Sequence, residues 1–188
     1  YSDEKLKDIK LYSSGSIDAF LKSARPVAVK FDSGMLLVKK LPLGRSVEQR
    51  IDVAFPAMHG TYGEDGTLMG MLRLAGIPFV GCDLEASVVA MNKLLAHQVV
   101  SAAGVESHPY QGVTKHHFLH DKDQVVQQLS VLNYPLFVKP VHLGSSIGIT
   151  RVKNKDELLE GLEVAFSYDD IAIVEEAVPN LIEATVPV

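Results

Sequence analysis

The stretch that decides the fold is residues 135–149, PLFVKPVHLGSSIGI, followed by TRV at 150–152. An apolar run ends at Lys139, a loop of small residues follows, and a second apolar run returns, which predicts strand, loop and strand. Phe137 and Lys139 share one face of the first strand. An ammonium beside apolar groups favours an anion as its partner, and the N–H groups of such a loop can surround one. The segment therefore indicates either a phosphate-binding lysine and loop or a lysine that reaches solvent beside an ordinary hairpin.

Composition excludes several classes of protein. The chain has 188 residues, of which 47% are hydrophobic and 22% charged, and its net charge of −5 argues against nucleic acid as a main partner. Cys82 is the single cysteine, so no internal disulfide can form and a reducing cytoplasm is the simplest location. No apolar run approaches the roughly 20 residues that span a membrane. The chain begins with Tyr1 rather than Met, and we expect it to be part of a longer protein.

Patterning along the rest of the chain predicts an α/β protein. Strands are expected at 27–31 and 35–39 as a hairpin, at 51–55 as a buried strand, and at 77–80, 171–176 and 183–186. Helices are expected at 17–21, 67–75 and 86–103 with a break near Asn92, and after the capping pairs Asp121/Gln124 and Asn154/Glu157. An apolar face of the helix after Asn92 is formed by Leu95, Val99, Ala102 and Ala103.

Several common motifs for phosphates and metals are not found in the sequence. It contains neither the P-loop pattern G-x-x-x-x-G-K-[ST] nor a G-x-G-x-x-G after a strand, which argues against those nucleotide folds. His116, His117 and His120 lie close together, but no fourth ligand with zinc spacing accompanies them. A solvated segment is favoured there over a metal site.

Two further groups of charged residues suit a bound nucleotide. Lys93 begins a predicted helix, where its charge opposes the macrodipole unless an anion binds nearby. The alternative is an exposed surface lysine. Glu175 and Glu176 close an apolar strand, and Glu183 enters the next predicted strand. An enclosed carboxylate here can accept hydrogen bonds from an adenine amino group or ribose hydroxyls, whereas the alternative is a solvated strand end.

Four segments together resemble the D-alanine–D-alanine ligases of the ATP-grasp superfamily, including the D-alanyl–D-serine and D-alanyl–D-lactate variants. These segments are FPAMHGTYGEDG at 55–66, AGIPFVG at 75–81, MNK at 91–93 and FVKPVHLGSSIG at 137–148. Within the superfamily, the HGxxGEDG pattern is specific to these ligases. The resemblance covers roughly residues 50–188.

The resemblance implies an α/β protein with a partial ATP-grasp fold, preceded by part of an open α/β N-terminal (preATP-grasp) domain. The implied ranges are 1–90 for the partial N-terminal substrate domain and 91–172 for the central, small ATP-grasp subdomain. Residues 173–188 would be the first strands of the C-terminal lobe, whose remainder would lie beyond Val188.

The resemblance also implies an ATP-dependent ligase of peptidoglycan precursor synthesis. A D-alanine carboxylate would be phosphorylated to an acyl phosphate, and a second D-amino or hydroxy acid would then displace phosphate. ATP and Mg²⁺ are the implied cofactors, with the Mg²⁺ ligands beyond Val188. The enzyme would be cytoplasmic, with no membrane or nucleic-acid partner, and a homodimer is expected from the family.

The family's functional residues map onto matching positions of this chain. The implied catalytic residues are Ser145, His59 and Glu64, with the last two near the first D-alanine. Lys93 and Lys139 would contact the ATP phosphates, and Glu183 the ribose. The full implied ATP-binding set is Lys93, Lys139, Ser145, Ser146, Gly148, Glu175, Ala177, Val178 and Glu183.

The chain also departs from the family pattern. Asn92 stands where aspartate is usual, Met69 where glutamine is common and Arg73 where glutamate is common. The turn at 178–183 is one residue longer than usual and lacks its glycine, although Asn180 can adopt a left-handed conformation. These departures leave two alternatives open: another ATP-grasp carboxylate–amine ligase, or a degenerate homologue that binds nucleotide without catalysis.

Overall fold

The computed structural model describes residue 22 and residues 27–31, 34–40 and 42–184. The chain divides into two units, one of residues 1–55 and 71–79 and the other of residues 56–70 and 80–188. The helix predicted at 17–21 lies outside the described residues. The domain boundaries predicted at residues 90 and 172 stay predictions.

The first unit contains a three-stranded antiparallel sheet in the order β1–β2–β3. Its strands are β1 (Val27–Phe31), β2 (Met35–Lys40) and β3 (Ser46–Ile51). The predicted hairpin is confirmed, because β1 pairs with β2 from Val27 opposite Lys39 to Phe31 opposite Met35.

Two other strands predicted for this part of the chain are wrong. Residues 51–55 do not form a buried strand, since β3 ends at Ile51 and Val53 and Phe55 are 61% and 76% exposed. Apolar alternation stabilises a strand through packing against neighbours, and these two side chains are not buried. Residues 77–80 contribute a single parallel bridge, between Ala54 and Phe79, rather than a strand.

The second unit is built around a four-stranded antiparallel sheet in the order β4–β7–β5–β6. Its strands are β4 (Tyr110–Thr114), β5 (Leu136–Pro140), β6 (Thr150–Val152) and β7 (Ile171–Glu176). The strand, loop and strand predicted around Lys139 are confirmed, because β5 pairs with β6. Strand β7 lies between β4 and β5, which places Glu175 opposite Tyr110 on one side and Phe137 on the other.

The helices begin and end close to the predicted residues, except the helix at Lys115–His120, where the sequence predicts a solvated segment and no helix. They are α1 (Thr67–Leu74), α2 (Leu84–Met91), α3 (Lys93–Ala102), α4 (Lys115–His120), α5 (Lys122–Leu129) and α6 (Lys155–Phe166). The predicted break is confirmed, since Asn92 caps α3 and its Oδ1 accepts a hydrogen bond from Leu95 N at 3.0 Å. Asp121 and Asn154 cap α5 and α6 in the same way. No helix in the described ranges is long and apolar enough to cross a membrane.

The two faces of the larger sheet have different surroundings. Leu136, Val138 and Val174 point into the hydrophobic core, together with residues of α5 and α6. Alternation sends Lys139 and Glu175 to the opposite face. Helix α3 packs on that opposite face, where a Cβ added at Gly112 would lie 2.8 Å from Leu94 Cδ1. Lys139 and Glu175 therefore lie on the face of the sheet that α3 covers.

Two predictions about packing and chain ends need correction. The apolar face predicted for α3 is not buried, since Leu95 and Val99 are 38% and 51% exposed, and Leu94 contacts the sheet instead. Glu183 does not enter a strand, because residues 181–184 are irregular, while residues 185 and 186 of that predicted strand lie outside the described ranges. The left-handed conformation predicted as accessible to Asn180 is adopted, with φ of 51°.

Replacing Gly66 with Ala is expected to destabilise the protein more than replacing Gly104 with Ala. Both glycines have positive φ, 87° and 82°, so each substitution costs about 1–2 kcal/mol of backbone strain. A Cβ at Gly66 would also lie 2.9 Å from Leu84 Cδ1 and 3.1 Å from Leu84 O, whereas Gly104 has nothing within 4 Å. Overpacking should add about 1–3 kcal/mol at Gly66 alone. Urea unfolding of both variants measures this, and equal losses would contradict it.

Candidate functional site

An ion pair between Lys139 and Glu175 lies at the centre of the candidate site, in the second unit. Lys139 Nζ contacts Glu175 Oε2, and the Glu175 side chain is only 4% exposed. Burial alone would raise the pKa of the Glu175 carboxyl, but the hydrogen bond and charge of Lys139 and the hydrogen bond from His97 hold it below its usual value. Glu175 is therefore a buried carboxylate that stays ionised because cationic and N–H groups surround it.

Lys93 brings a second ammonium to the same region. Its Nζ donates hydrogen bonds to Val141 O at 3.3 Å and to Leu143 O, and its backbone N donates to Val141 O at 3.3 Å. Burial lowers the pKa of Lys93, and the charge of Lys139 lowers it further, against the opposing effects of Glu175 and Asp169. The two ammonium groups therefore repel each other, and an anion bound between them would stabilise the charged form of both lysines.

The loop after β5, residues 141–149, has unusual backbone geometry and is called the serine loop below. Ser145, Ser146 and Gly148 have φ of 52°, 57° and 71°. Left-handed conformations at two serines cost free energy and are found disproportionately where loops contact ligands. Both serines are exposed, which leaves their hydroxyl groups accessible.

A cleft of about 490 Å³ adjoins the serine loop within the second unit. It is lined by His59, Gly60, Thr61, Glu64, Met91, His142, Leu143, Gly144, Ser145 and Ile147. The structure thus brings together the three residues predicted to be catalytic, Ser145, His59 and Glu64. Glu64 Oε2 accepts a hydrogen bond from Gly60 N at 2.6 Å, and its Oε1 lies 3.7 Å from His59 Nδ1. A larger cleft of about 620 Å³ in the first unit is lined by none of the predicted site residues.

The remaining predicted residues lie at or beyond the end of β7. Ala177 N donates a hydrogen bond to Pro135 O at 2.9 Å, which ties the chain after β7 to the residue before β5. Val178 is 45% exposed, and Glu183 is exposed in the irregular segment that follows. Ala177 and Val178 are thus close to Glu175 along the chain, and the position of Glu183 relative to Glu175 stays a prediction.

His142, at the start of the serine loop, connects that loop to two other segments. Asp169 Oδ2 accepts hydrogen bonds from His142 N at 2.7 Å and His142 Nδ1 at 3.0 Å. On the other side of the ring, Asn92 Nδ2 lies 3.1 Å from His142 Nε2. Because Asn92 Oδ1 already accepts from Leu95 N, its amide nitrogen faces the ring and donates to Nε2. This chain of hydrogen bonds holds the start of α3, and so Lys93, against the serine loop.

Replacing Asp169 with Asn is expected to cost about 1–3 kcal/mol of stability at pH 7, because an amide NH₂ would face N–H donors of His142 or Ile171. Burial raises the pKa of Asp169, but hydrogen bonds from His142 and Ile171 hold it below its usual value. The carboxylate therefore contributes its full stabilisation above about pH 4, and that contribution is lost as the pH falls through the folded-state pKa.

The measurement is urea unfolding at pH 7 and pH 3, with Asp170→Asn as the matched control. The Asp170 side chain is 90% exposed and lies 3.7 Å from Lys115 Nζ, so its substitution should change stability by less than about 0.5 kcal/mol. The difference between the wild type and Asp169→Asn should shrink at pH 3. An undiminished difference at pH 3 would contradict the role given to the ionised carboxylate.

Two histidines to which the sequence analysis gave no role also contact Glu175. His97 Nε2 lies 3.0 Å from Glu175 Oε1, and His108 Nε2 lies 3.7 Å from Oε2. His97 follows Lys93 by four residues in α3, so the two share a helix face. That spacing is the one signal in the sequence that could have included His97 in the site.

Comparison with known proteins agrees with the resemblance seen in the sequence. Residues 17–82 match the family model described as the D-ala D-ala ligase N-terminus, and residues 99–188 match that of the D-ala D-ala ligase C-terminus. A D-alanine–D-alanine ligase of Geobacter sulfurreducens is 41% identical over 169 residues, which are 90% of this chain and 50% of that protein. The vancomycin B-type resistance protein VanB of Enterococcus faecalis is 40% identical over 77% of this chain and 39% of its own length.

A solved structure shows the same likeness in three dimensions. The VanG D-Ala:D-Ser ligase from Enterococcus faecalis matches 87% of this chain and 47% of its own with a TM-score of 0.72 and 36% identity. This likeness confirms the predicted fold class. The chain spans about half or less of the length of the relatives cited. The two family models together match most of the chain, and it therefore belongs to the D-alanine–D-alanine ligase family.

Proposed function

We propose that this protein is an ATP-dependent D-alanine–D-alanine-type ligase that acts through a D-alanyl phosphate and serves peptidoglycan precursor synthesis. The observation that carries the proposal is the position of two lysines at the serine loop: Lys93 Nζ donates hydrogen bonds to Val141 O and Leu143 O, and Lys139 lies near the end of β5, which leads into that loop. Phosphoryl transfer depends mainly on positioned cations and N–H donors, and this region offers both.

The residues present fit a nucleotide. Lys93 and Lys139 would hold its phosphates, with Ser145, Ser146 and Gly148 in the loop over them. Bound ATP supplies the phosphoryl group, and its anionic phosphates would offset the burial and the charge of Lys139 that together lower the pKa of Lys93.

Glu175 would accept a hydrogen bond from the adenine amino group, with the backbone of Ala177 and Val178 beside it and Glu183 at the ribose. Glu175 is already ionised and buried, so it is a strong acceptor in a fixed position. Mg²⁺ would neutralise the phosphates when bound.

The cleft lined by His59, Glu64 and Ser145 is the proposed place of the first D-alanine. Glu64 is held by Gly60 N and lies near His59, so these two side chains give the cleft a positioned carboxylate and imidazole. Ser145 has its hydroxyl at the same cleft, where it can donate a hydrogen bond to the reacting groups. The second substrate, a homodimer and a cytoplasmic location stay predictions.

The test is phosphate release by the purified full-length protein with ATP, Mg²⁺ and single amino acids. Release should require D-alanine, and L-alanine is the matched control because it differs only in chirality. Adding D-alanine, D-serine or D-lactate as second substrate, with product analysis by mass, identifies the ligation product. Release with another carboxylate in place of D-alanine would favour a different ATP-grasp ligase.

The second alternative, a nucleotide-binding homologue without catalysis, is separated by the same assay. Met69 and Arg73 are the departures that favour it. This alternative is supported if calorimetry shows nucleotide binding while no amino acid of the panel causes phosphate release. The ligase proposal would then be wrong. Absence of both binding and release would contradict both.

A further inference from the structure

We propose that His97, His108 and Glu175 form a site for a divalent transition metal and that this site suits Zn²⁺ best. Zinc bound there displaces the Lys139 ammonium from the Glu175 carboxylate. One ligand atom from each of the three side chains lies within 4.8 Å of the other two.

The spacing of the ligand atoms is close to that of an occupied site. Two atoms that coordinate one tetrahedral Zn²⁺ at about 2.0–2.1 Å stand about 3.3 Å apart. His97 Nε2 is 3.0 Å from Glu175 Oε1, and His108 Nε2 is 3.7 Å from Glu175 Oε2. These two distances end on different oxygens of the carboxylate, and the ligand atoms lie within 4.8 Å of one another, so the His108 ring, which is 36% exposed, would have to move toward His97 for both nitrogens to reach one ion.

The ligands are held by their surroundings. His97 and Glu175 are 19% and 4% exposed, and the His97 ring lies 4.4 Å from the ring of Tyr110. Ser107 Oγ lies 2.6 Å from His97 Nδ1, on the side of the ring away from Glu175. Ligating histidines commonly donate their second ring N–H to an oxygen, which leaves the other nitrogen's lone pair for the metal. Ser107 Oγ can accept this hydrogen bond from His97 Nδ1.

The donor set selects the class of metal. Two imidazole nitrogens and one carboxylate oxygen, with a fourth position open on the exposed side of His108, suit Zn²⁺. Mg²⁺ and Ca²⁺ prefer oxygen ligands throughout, so they are poor occupants of this site. It is therefore distinct in chemistry from the Mg²⁺ expected with ATP.

Lys139 gives the site a property that can be measured. Its ammonium contacts Glu175 Oε2, the oxygen nearer to His108, so Lys139 and a metal ion compete for one carboxylate. Removing the ammonium should therefore strengthen zinc binding. A surface histidine cluster that binds zinc without Glu175 would not respond to Lys139 in this way.

The experiment is a zinc titration of the nucleotide-free protein in competition with a chromophoric chelator. Binding of one Zn²⁺ per chain is expected, weakened at least tenfold in His97→Gln and in His108→Gln and tightened in Lys139→Met. The matched control is the double variant His116→Gln/His120→Gln, since these two exposed rings, 4.1 Å apart, form a competing histidine pair on α4. This control should bind zinc like the wild type.

Co²⁺ provides a readout of geometry, because its visible absorption reports a low-coordinate site with nitrogen ligands. That absorption should disappear in His97→Gln, and thermal unfolding of each metal-free variant shows whether it is folded. Equal zinc affinity in the wild type, His97→Gln and His108→Gln would overturn the proposal. Loss of binding in the His116→Gln/His120→Gln control would do the same.

One consequence rests on the proposed function, in which Glu175 recognises adenine. Zinc on Glu175 should then weaken adenosine binding, and adenosine is the probe because ATP phosphates themselves bind zinc. Antagonism between zinc and adenosine supports both proposals. Zinc binding with the expected variant pattern, but without any effect of adenosine, supports the metal site and contradicts the adenine role of Glu175.

Discussion

Replacing Lys139 with Met is expected to weaken nucleotide binding by about 100-fold, since removal of one partner of an enclosed charge pair costs about 2–5 kcal/mol. The lysine ends a buried strand, β5, and its side chain is 25% exposed, so solvent screens it only in part. Met keeps much of the methylene stem and removes the ammonium. The measurement is calorimetry with Mg²⁺ and a non-hydrolysable ATP analogue.

The same substitution also affects the fold, because it leaves the buried carboxylate of Glu175 without its lysine. Unpairing a buried charge costs about 3–5 kcal/mol, although His97 and His108 remain beside this one. A weaker nucleotide affinity could then reflect unfolding rather than a lost phosphate contact. The double variant Lys139→Met/Glu175→Gln leaves neither charge unpaired, and Glu175→Gln alone measures how much of its weaker binding comes from the proposed adenine contact.

We expect the double variant to unfold at a higher urea concentration than Lys139→Met and still to bind nucleotide at least 100-fold more weakly than the wild type. Lys93→Met is the companion variant, because Lys93 shares the proposed phosphate site but makes its hydrogen bonds to backbone carbonyl groups. Wild-type affinity in the folded double variant would remove Lys139 from the proposed phosphate site.

The sequence predicts the parts of the site whose signals are local. The apolar run that ends at Lys139, the small residues that follow and the apolar return are all neighbours in the chain, and the structure forms β5, the serine loop and β6 there. The cap at Asn92 is likewise specified within three residues, by its side chain and Leu95 N. Alternation along the apolar run at 171–174 predicts that either Glu175 or Glu176 is enclosed, and the position of β7 between β4 and β5 decides for Glu175.

Contacts between distant segments are not predicted in this way. His97 and Glu175 are 78 residues apart, and they meet because β7 lies between β4 and β5 and α3 packs over that face. Gly112 allows α3 to pack on the sheet through Leu94, because a side chain at position 112 would overlap with Leu94. Periodicity of apolar residues selected Leu95 and Val99 instead, which the structure leaves exposed. The buried strand predicted at residues 51–55 is wrong for the same reason. Whether an apolar segment is buried depends on the segments that pack against it, and its own sequence does not show which these are.

The stability of the second unit should depend most on the core between α6 and the sheet. Leu162 is fully buried in this core, which also contains Val138 and Val152 of the facing strands. Gly161 allows the close approach of α6, because a Cβ there would lie 3.1 Å from Val152 Cγ1 and 3.3 Å from Val138 Cγ2. Little space is left for neighbours to fill a cavity, so Leu162→Ala should cost about 4 kcal/mol, near the upper part of the range for such substitutions.

Val164→Ala is the matched control, since it lies on the same helix but is 43% exposed. It removes fewer buried atoms and Ala favours a helix, so its effect should stay within about 0.5 kcal/mol. Urea unfolding followed by circular dichroism gives both values, and similar losses for the two variants would contradict this account of the core. The proposed nucleotide site lies on the other face of the same sheet and includes residues of β5 and β7. Leu162→Ala should therefore reduce nucleotide binding only through the fraction of protein that is unfolded, whereas Lys139→Met/Glu175→Gln should reduce it in protein that remains folded.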